Sequence, residues 1–292
     1  MKFGVYVFAT DLDMGPGLMA REVEARGLDS MFFPEHSHIP VARTTPYPDS
    51  YGGGTLPDFY KRTHDPFISA SLAAAATTRL EVGTGVALLA LRDTVHTAKL
   101  VSSVDNLSGG RFTFGVGFGW NADEFATHCT DFRTRHRKVR EQVAALRMIW
   151  ANEVAEYHGE FVDFEPLWQW PKPAQKAGPP VYLGGSGPLT MRHAAEWADC
   201  WYPTPPMADP LLEKAVPAFR ELVAAAGRDP DGVLVGSAPA EVTEHSIEAY
   251  ERNGVAHVNA WLCGGSRDET LTALDRLAAI RSAVLGDSRT SA

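Results

Sequence analysis

Cysteine is scarce in this chain. There are three in 292 residues, Cys129, Cys200 and Cys263, far apart and with no Cys-x-x-Cys pair. That excludes a disulfide framework and a structural zinc site, and it points to a reducing, cytoplasmic location. Basic side chains are also in deficit, 27 Lys and Arg against 36 Asp and Glu, for a net charge of −9. A general phosphate-backbone binder would need a basic face, so nucleic acid is not an expected partner. No apolar run approaches the ~20 residues a membrane-spanning helix requires, so no membrane partner is expected. The start, MKFGVYVFATDLD, has too short an apolar stretch and too early an acid for a signal peptide. Internal repeats, a Gly-x-Ser-x-Gly elbow and a P-loop Gly-Lys-Ser/Thr are all missing. The glycine run after residue 114 lacks the last glycine of a dinucleotide fingerprint, and no ribose-binding acid follows it.

What is present is a rhythm. Eight short apolar runs fall at 3–8, 30–34, 80–85, 111–117, 180–185, 199–203, 233–237 and 257–262. Most are solidly apolar rather than alternating, as parallel strands covered on both sides should be. Amphipathic stretches fill the gaps. Residues 16–26 set Leu18, Met19 and Val23 on one side; Asp65-Pro66 reads as an N-cap and first-turn proline. Thr94 to Asn106 ends at a glycine stop, and Val139, Val143, Leu146 and Trp150 keep helical spacing. Pro188 starts a helix to Trp197, Asp209-Pro210 opens one to Ala226, 243–252 forms another, and Ser266 with Glu269 makes a capping-box pair. This alternation predicts an α/β fold, a (β/α)8 TIM barrel forming a single domain over 1–292. The competitor, a two-domain doubly wound sheet, lacks a linker between halves. Residues 36–64 and 151–179 are too long for ordinary connections, and are read as insertions over the barrel mouth.

Barrel chemistry belongs at the C-terminal ends of strands. After the second strand stands Phe-Phe-Pro-Glu35-His36-Ser37-His38. A histidine there can trade a proton near neutral pH; a polar turn with an inert histidine is the other reading. His36 and His38 have no third ligand at metal-binding spacing. After the third strand, Gly85 either kinks the strand or lets a flat ligand approach. After the fourth come Gly115, Gly117 and Gly119, then Asn121 and Glu124, whose spacing also fits a helix cap. After the fifth, Gly185-Ser186-Gly187-Pro188 leads into a helix. It reads as a phosphate site made from backbone amides, or as a tight turn. Arg192, one turn on, either assists that site or is a solvated surface arginine.

On the blocks EARGLDSMFFPEH, LEVGTGVALLALRDTVHTAKLVSSVDNLSGGR, GVGFGWNADEF and PVYLGGSGPLTMRHAAEWADCWYP, nearly the whole chain resembles the bacterial-luciferase-like superfamily. Within it, the chain is most similar to the deazaflavin-dependent (coenzyme F420) oxidoreductases. The resemblance implies an isoalloxazine-like ring at the mouth and a non-prolyl cis peptide at Gly85-Val86 beneath it. It implies His36 as general acid/base with Glu35, an Asp in relatives, beside it, and Asn121 near the ring edge. It places the cofactor phosphate at Gly185, Ser186, Gly187 and Pro188, with Gly117 in the glycine turn beside the ring. Phe118 stands where sugar-phosphate dehydrogenases of the family carry a glutamate, which argues against such a substrate. The implied cofactor is F420, with FMN in a monooxygenase as the alternative and a non-catalytic flavin-binding protein as a third reading. A small-molecule substrate, apolar or ring-bearing from the aromatics of the insertions, and a homodimer through helices near 66–76 and 95–107 complete these expectations.

Overall fold

The computed structural model describes residues 1–204, 209–263 and 265–286. Ten strands run in chain order: β1 (Lys2–Phe8), β2 (Ser30–Phe33), β3 (Glu81–Ala87), β4 (Phe112–Gly117), β5 (Val154–His158), β6 (Asp163–Trp168), β7 (Val181–Gly184), β8 (Cys200–Tyr202), β9 (Leu234–Ser237) and β10 (His257–Cys263). Eight of them close a barrel in the order β1-β10-β9-β8-β7-β4-β3-β2. Each neighbouring pair is parallel, and β1 closes the ring by pairing with β10 from Lys2↔His257 to Phe8↔Cys263. The helices are α1 (Pro16–Ala25), α2 (Pro66–Ala76), α3 (Thr94–Ser108), α4 (Ala122–Thr127), α5 (Arg135–Ala151), α6 (Pro188–Trp197), α7 (Asp209–Ala225), α8 (Glu244–Arg252) and α9 (Arg267–Leu285). The apolar strands are explained by this closure: one face meets the helices, the other the barrel interior.

Local chemistry sets most helix ends. Asp65 accepts from the amides of Phe67 and Ile68 ahead of Pro66, and Asp93 accepts from His96 N–H. Gly109, at φ 69°, stops α3 where a left-handed residue is needed. Ser266 and Glu269 form the expected reciprocal box. The Asp209-Pro210 opening of α7 falls on side chains outside the described residues. Leu18 corrects the reading of α1: it is exposed, and Met19 with Val23 makes the buried face.

Two cores result. Between strands and helices lie Phe3, Phe33, Phe67, Phe112, Phe114 and Phe219; inside the barrel lie Tyr6, Phe32, Tyr182 and Tyr202. A buried polar chain crosses that interior. Tyr202 Oη donates to Asn259 Oδ1 (3.0 Å), Asn259 Nδ2 donates to Ser30 Oγ (2.7 Å), and Ser30 Oγ lies 2.7 Å from His257 Nε2. The other ring nitrogen, Nδ1, lies 3.3 Å from Tyr182 Oη, which extends the chain. Burial pushes His257 down to about 3, and it stays neutral.

The two long segments part company. Residues 36–64 lie at the C-terminal mouth, where Pro48, Ser50, Tyr51 and Tyr60 wall a cavity. Residues 151–179 instead form the antiparallel hairpin β5–β6 and a strap, and line no part of that cavity. Glu141 of α5 accepts the backbone N–H groups of Glu160, Phe161 and Val162 at the hairpin turn. Gln175 Nε2 donates to Asp105 and to the carbonyl of Phe112, the first residue of β4. The reason is topological: this segment joins a helix to its next strand, and such links enter at the N-terminal end, whereas strand-to-helix links build the mouth.

Candidate active site

The cavity at the mouth has a volume of about 280 Å³ and opens to solvent. The C-terminal ends of β1 to β4 and β7, the 36–64 insertion and the first turn of α5 all contribute to its wall.

His36 is the wall's best-placed proton carrier. Its Nδ1 lies 2.8 Å from Glu124 Oε2, and both side chains are almost wholly buried, at 6% and 1% exposure. Glu124 also accepts from Ser37 N–H (3.0 Å) and Ser37 Oγ (3.3 Å). A carboxylate at Nδ1 fixes the tautomer with the proton there and leaves Nε2 for the cavity. The rings of Tyr60 and Trp120 flank the imidazole at 5.2 and 5.7 Å between centroids. Two expectations are corrected here. Glu124 is not a capping-box partner of Asn121: it reaches back to the second strand's corner. Asn121 precedes α4 but makes no cap bond, and both amide atoms are buried without a partner.

Glu35 does not orient His36. Neighbours on an extended chain point to opposite sides, and Glu35 turns the other way. Its Oε2 accepts from Leu88 N–H (2.7 Å) and its Oε1 from Arg92 Nε (2.6 Å), while Arg92 Nη2 also meets Asp65 Oδ2 (2.5 Å). Burial opposes the Arg92 charge, but the Glu35 and Asp65 carboxylates outweigh it and raise its pKa above the ordinary arginine value.

That anchor secures a bulge. The Gly85-Val86 peptide is cis, and the β3–β4 register shifts between Thr84 and Ala87. Val86 lines the cavity and is only partly buried, between buried Gly85 and Ala87. The glycines around it make room for this side chain: a Cβ on Gly184 would stand 2.8 Å from Val86 Cγ1, and one on Gly117 would run into Val86 Cγ2. So Val86 and Gly117 meet on the cavity wall, while Gly85 lies outside the lining, packed against Phe32 and Tyr6.

Of the turn 185–188, Gly185 lines the cavity while Ser186, Gly187 and Pro188 do not. Gly185, at φ 126°, spends its N–H on Tyr202 O (3.1 Å), so that amide is not free for an anion. Arg192 is exposed and lies outside the lining. The lining instead includes Thr190, Arg135 and His136. Sequence reasoning passed over these three, because Arg135 and His136 sit in a basic run (RTRHRKVR) that reads as a solvated helix start. The remaining wall is neutral and aromatic. Burial pushes the Tyr51 phenol up to about 12 and raises Tyr6 and Tyr60 as well. His36 and His38 do not converge on a metal, since His38 Nδ1 pairs with Ser37 Oγ (2.9 Å). Among the described residues, no three His, Cys, Asp or Glu side chains could hold a metal ion, and no helix is long and apolar enough to cross a membrane.

Within the lining, Val86 offers a raised apolar seat and Arg135 a basic corner, whereas the unpaired amide of Asn121 is buried outside it. Residues 17–283 match the family model of luciferase-like monooxygenases. The uncharacterized protein Rv0953c of Mycobacterium tuberculosis is 37% identical over 283 residues, 96% of this chain and 98% of that protein. An F420-dependent glucose-6-phosphate dehydrogenase of Mycolicibacterium gilvum is 30% identical over 178 residues, 58% of this chain and 52% of that enzyme. Among solved structures, an F420-dependent secondary alcohol dehydrogenase holding an F420-acetone adduct superposes with a TM-score of 0.75 at 16% identity, covering 97% of this chain and 98% of its own. At that identity the last likeness concerns the fold.

Proposed function

This chain belongs to the luciferase-like monooxygenase family, and on that premise we propose that it is an oxidoreductase moving a hydride between coenzyme F420 and a small organic substrate. The observation that carries the reading is the buried His36–Glu124 pair opening on a cavity floored by Val86. The partial identity to an F420-dependent dehydrogenase supports the choice of cofactor.

The bound deazaflavin supplies the hydride donor or acceptor. The chain's residues do the rest. Val86 seats the ring, and Glu35 holds the segment that follows it through Leu88 N–H. His36 Nε2 gives a proton to the substrate oxygen in the reductive direction and takes it back in the oxidative one. Glu124 stabilises the imidazolium form and holds the ring in register. Tyr6, Tyr51, Tyr60 and Trp120 exclude water and favour an uncharged, apolar or ring-bearing substrate. Ile68 and Leu72 of α2 and Leu107 of α3 expose apolar side chains, which supports pairing of two copies through these helices.

A second reading, an FMN-dependent monooxygenase, is favoured by the description of the family model itself. Titrating the protein with F420 and with FMN, each followed by its ring absorbance, and then measuring oxygen consumption separates the two. Saturable F420 binding without FMN-linked oxygen uptake is the expected result. Oxygen-consuming turnover with FMN alone would replace the first reading by the second.

A further inference from the structure

The activity proposed above leaves one hydroxyl proton of the wall without a task. Tyr60 lines the cavity, and its ring lies 5.2 Å from the His36 imidazole. Its Oη is 3.2 Å from Oη of Tyr47, which is buried and outside the lining. Burial raises both phenols, so each keeps its proton near neutral pH. Two hydroxyls bring two protons, and their mutual bond uses one. Among the described residues, Tyr60 is the one hydrogen-bond partner of Tyr47 Oη. A proton left over on Tyr47 would therefore be buried with no acceptor, which is unfavourable. With Tyr47 as the donor instead, the free proton is on Tyr60, at the cavity.

Tyr60 is also held still. It stands on the 3₁₀ turn Asp58–Lys61 of the 36–64 insertion, with its N–H bonded to Pro57 O (3.2 Å). Arg62 ties that turn to the segment after β1: Nε donates to Asp58 (3.0 Å) and Nη1 to Asp11 (2.9 Å), while Thr63 pairs with Thr10. Phe8, at 5.0 Å, and Phe59, at 5.2 Å, pack against its ring. We propose that Tyr60 is a second hydrogen-bond donor to the substrate oxygen beside His36, that Tyr47 sets the direction of its hydroxyl, and that the substrate is an uncharged carbonyl compound or the matching alcohol. The reacting step rests on the hydride-transfer reading above; the donor itself needs only an oxygen acceptor in the cavity.

In the reductive direction a hydride adds to the carbonyl carbon, and the C=O π pair moves onto oxygen. The His36 Nε2–H bond breaks as the new O–H bond forms. Tyr60 gives up no proton. Its O–H tightens onto the oxygen as negative charge builds there, a donor fixed in advance where charge develops. In the oxidative direction the same bond steadies the alkoxide while His36 takes the hydroxyl proton. The surroundings set the class. Beside His36 the lining carries Pro34, Tyr60 and Trp120, with Phe8 against Tyr60, and the Glu124 carboxylate lies behind the imidazole. A phenol donor suits a neutral oxygen. A carboxylate or phosphate at this corner would be desolvated with the His36 imidazolium as its one cation among these groups.

The test has a binding arm and a kinetic arm, both on the whole protein with acetophenone as the probe. In isotope-edited infrared difference spectra, the carbonyl stretch should fall saturably in frequency on binding to wild type. Tyr60→Phe should lose much of that fall, and Tyr47→Phe less of it. With reduced F420 and acetophenone, Tyr60→Phe should lower kcat by about 10²-fold with KM within a few-fold of wild type. Tyr47→Phe should lower it by about tenfold or less, and the double variant should be no worse than Tyr60→Phe alone. A packing role for Tyr60 would move thermal unfolding and leave the carbonyl stretch and kcat at wild-type values, and that result overturns the proposal. So does the absence of any saturable shift with wild type. A shift that Tyr60→Phe diminishes, without turnover of reduced F420 by wild type, removes the hydride-transfer reading and upholds the donor.

Discussion

Glu124 Oε2 lies 2.8 Å from Nδ1 of His36, across 88 residues of sequence and with both groups buried. The neighbouring acid, Glu35, is committed to Leu88 N–H and Arg92. The two acids of the site thus have separate partners, one on His36 and one on the Leu88–Arg92 segment, and they can be tested separately.

His36→Ala should cut turnover by roughly 10²-fold or more while F420 affinity stays within a few-fold of wild type. Glu124→Gln should lower kcat by about 10- to 100-fold and shift the pH–rate profile, because the amide can still accept from Nδ1–H but cannot stabilise the imidazolium. Steady-state kinetics across pH, beside a binding titration, check both. Unchanged turnover in His36→Ala removes that residue from the mechanism.

Glu35→Gln should act on stability first. It leaves the largely buried Arg92 with Asp65 alone and loosens the Leu88 anchor, a loss on the order of 3 kcal/mol. Arg92→Met should cost about as much, and the double variant less than the sum of the two. Denaturant unfolding of the three proteins measures this. Strict additivity would show that the pair is not coupled.

Gly184→Ala places a methyl 2.8 Å from Val86 Cγ1. Overpacking of this kind costs about 1–3 kcal/mol and pushes Val86 from its position, so ring affinity should fall. Adding Val86→Ala should recover stability but not affinity, because the raised seat is then gone. Thermal unfolding and ring binding on the single and double variants distinguish the two effects.

His257 makes an acid-sensitive barrel. Its folded pKa of about 3 lies below the unfolded value, so the unfolded chain binds a proton that the native one refuses. Stability contributed by the neutral form is full above about pH 6.5 and falls by about 1.4 kcal/mol per pH unit between there and about 3. Unfolding curves at pH 7.5 and 5.5 should show that slope in wild type and a shallower one in His257→Gln, even if the variant is less stable at both.

Much of this was legible along the chain. The eight apolar runs fell within a residue or two of the barrel strands, because each carries the composition of a segment covered on both sides. Asp65, Ser266 and Gly109 mark helix ends through bonds to backbone only a few residues away. Glu124 was misread for a related reason: three residues after Asn121, it satisfies the local cap pattern, and nothing near it in sequence reveals the stronger competitor, His36. Arg135 and His136 were hidden in the same way, by a run of bases that any exposed helix start could carry.

The sequence by itself determined the order and kind of the elements, most of their ends, and the placing of His36 at a strand terminus, since these depend on periodicity, caps and composition over a few residues. Tertiary structure alone decided which acid serves His36, which supports the Gly85–Val86 bulge, and that residues 151–179 lie away from the mouth cavity. Those outcomes follow from ring closure, which brings β2, β3 and the β4–α4 turn side by side at one end. Pairing across that distance is a competition among buried partners, and no local pattern records who wins it.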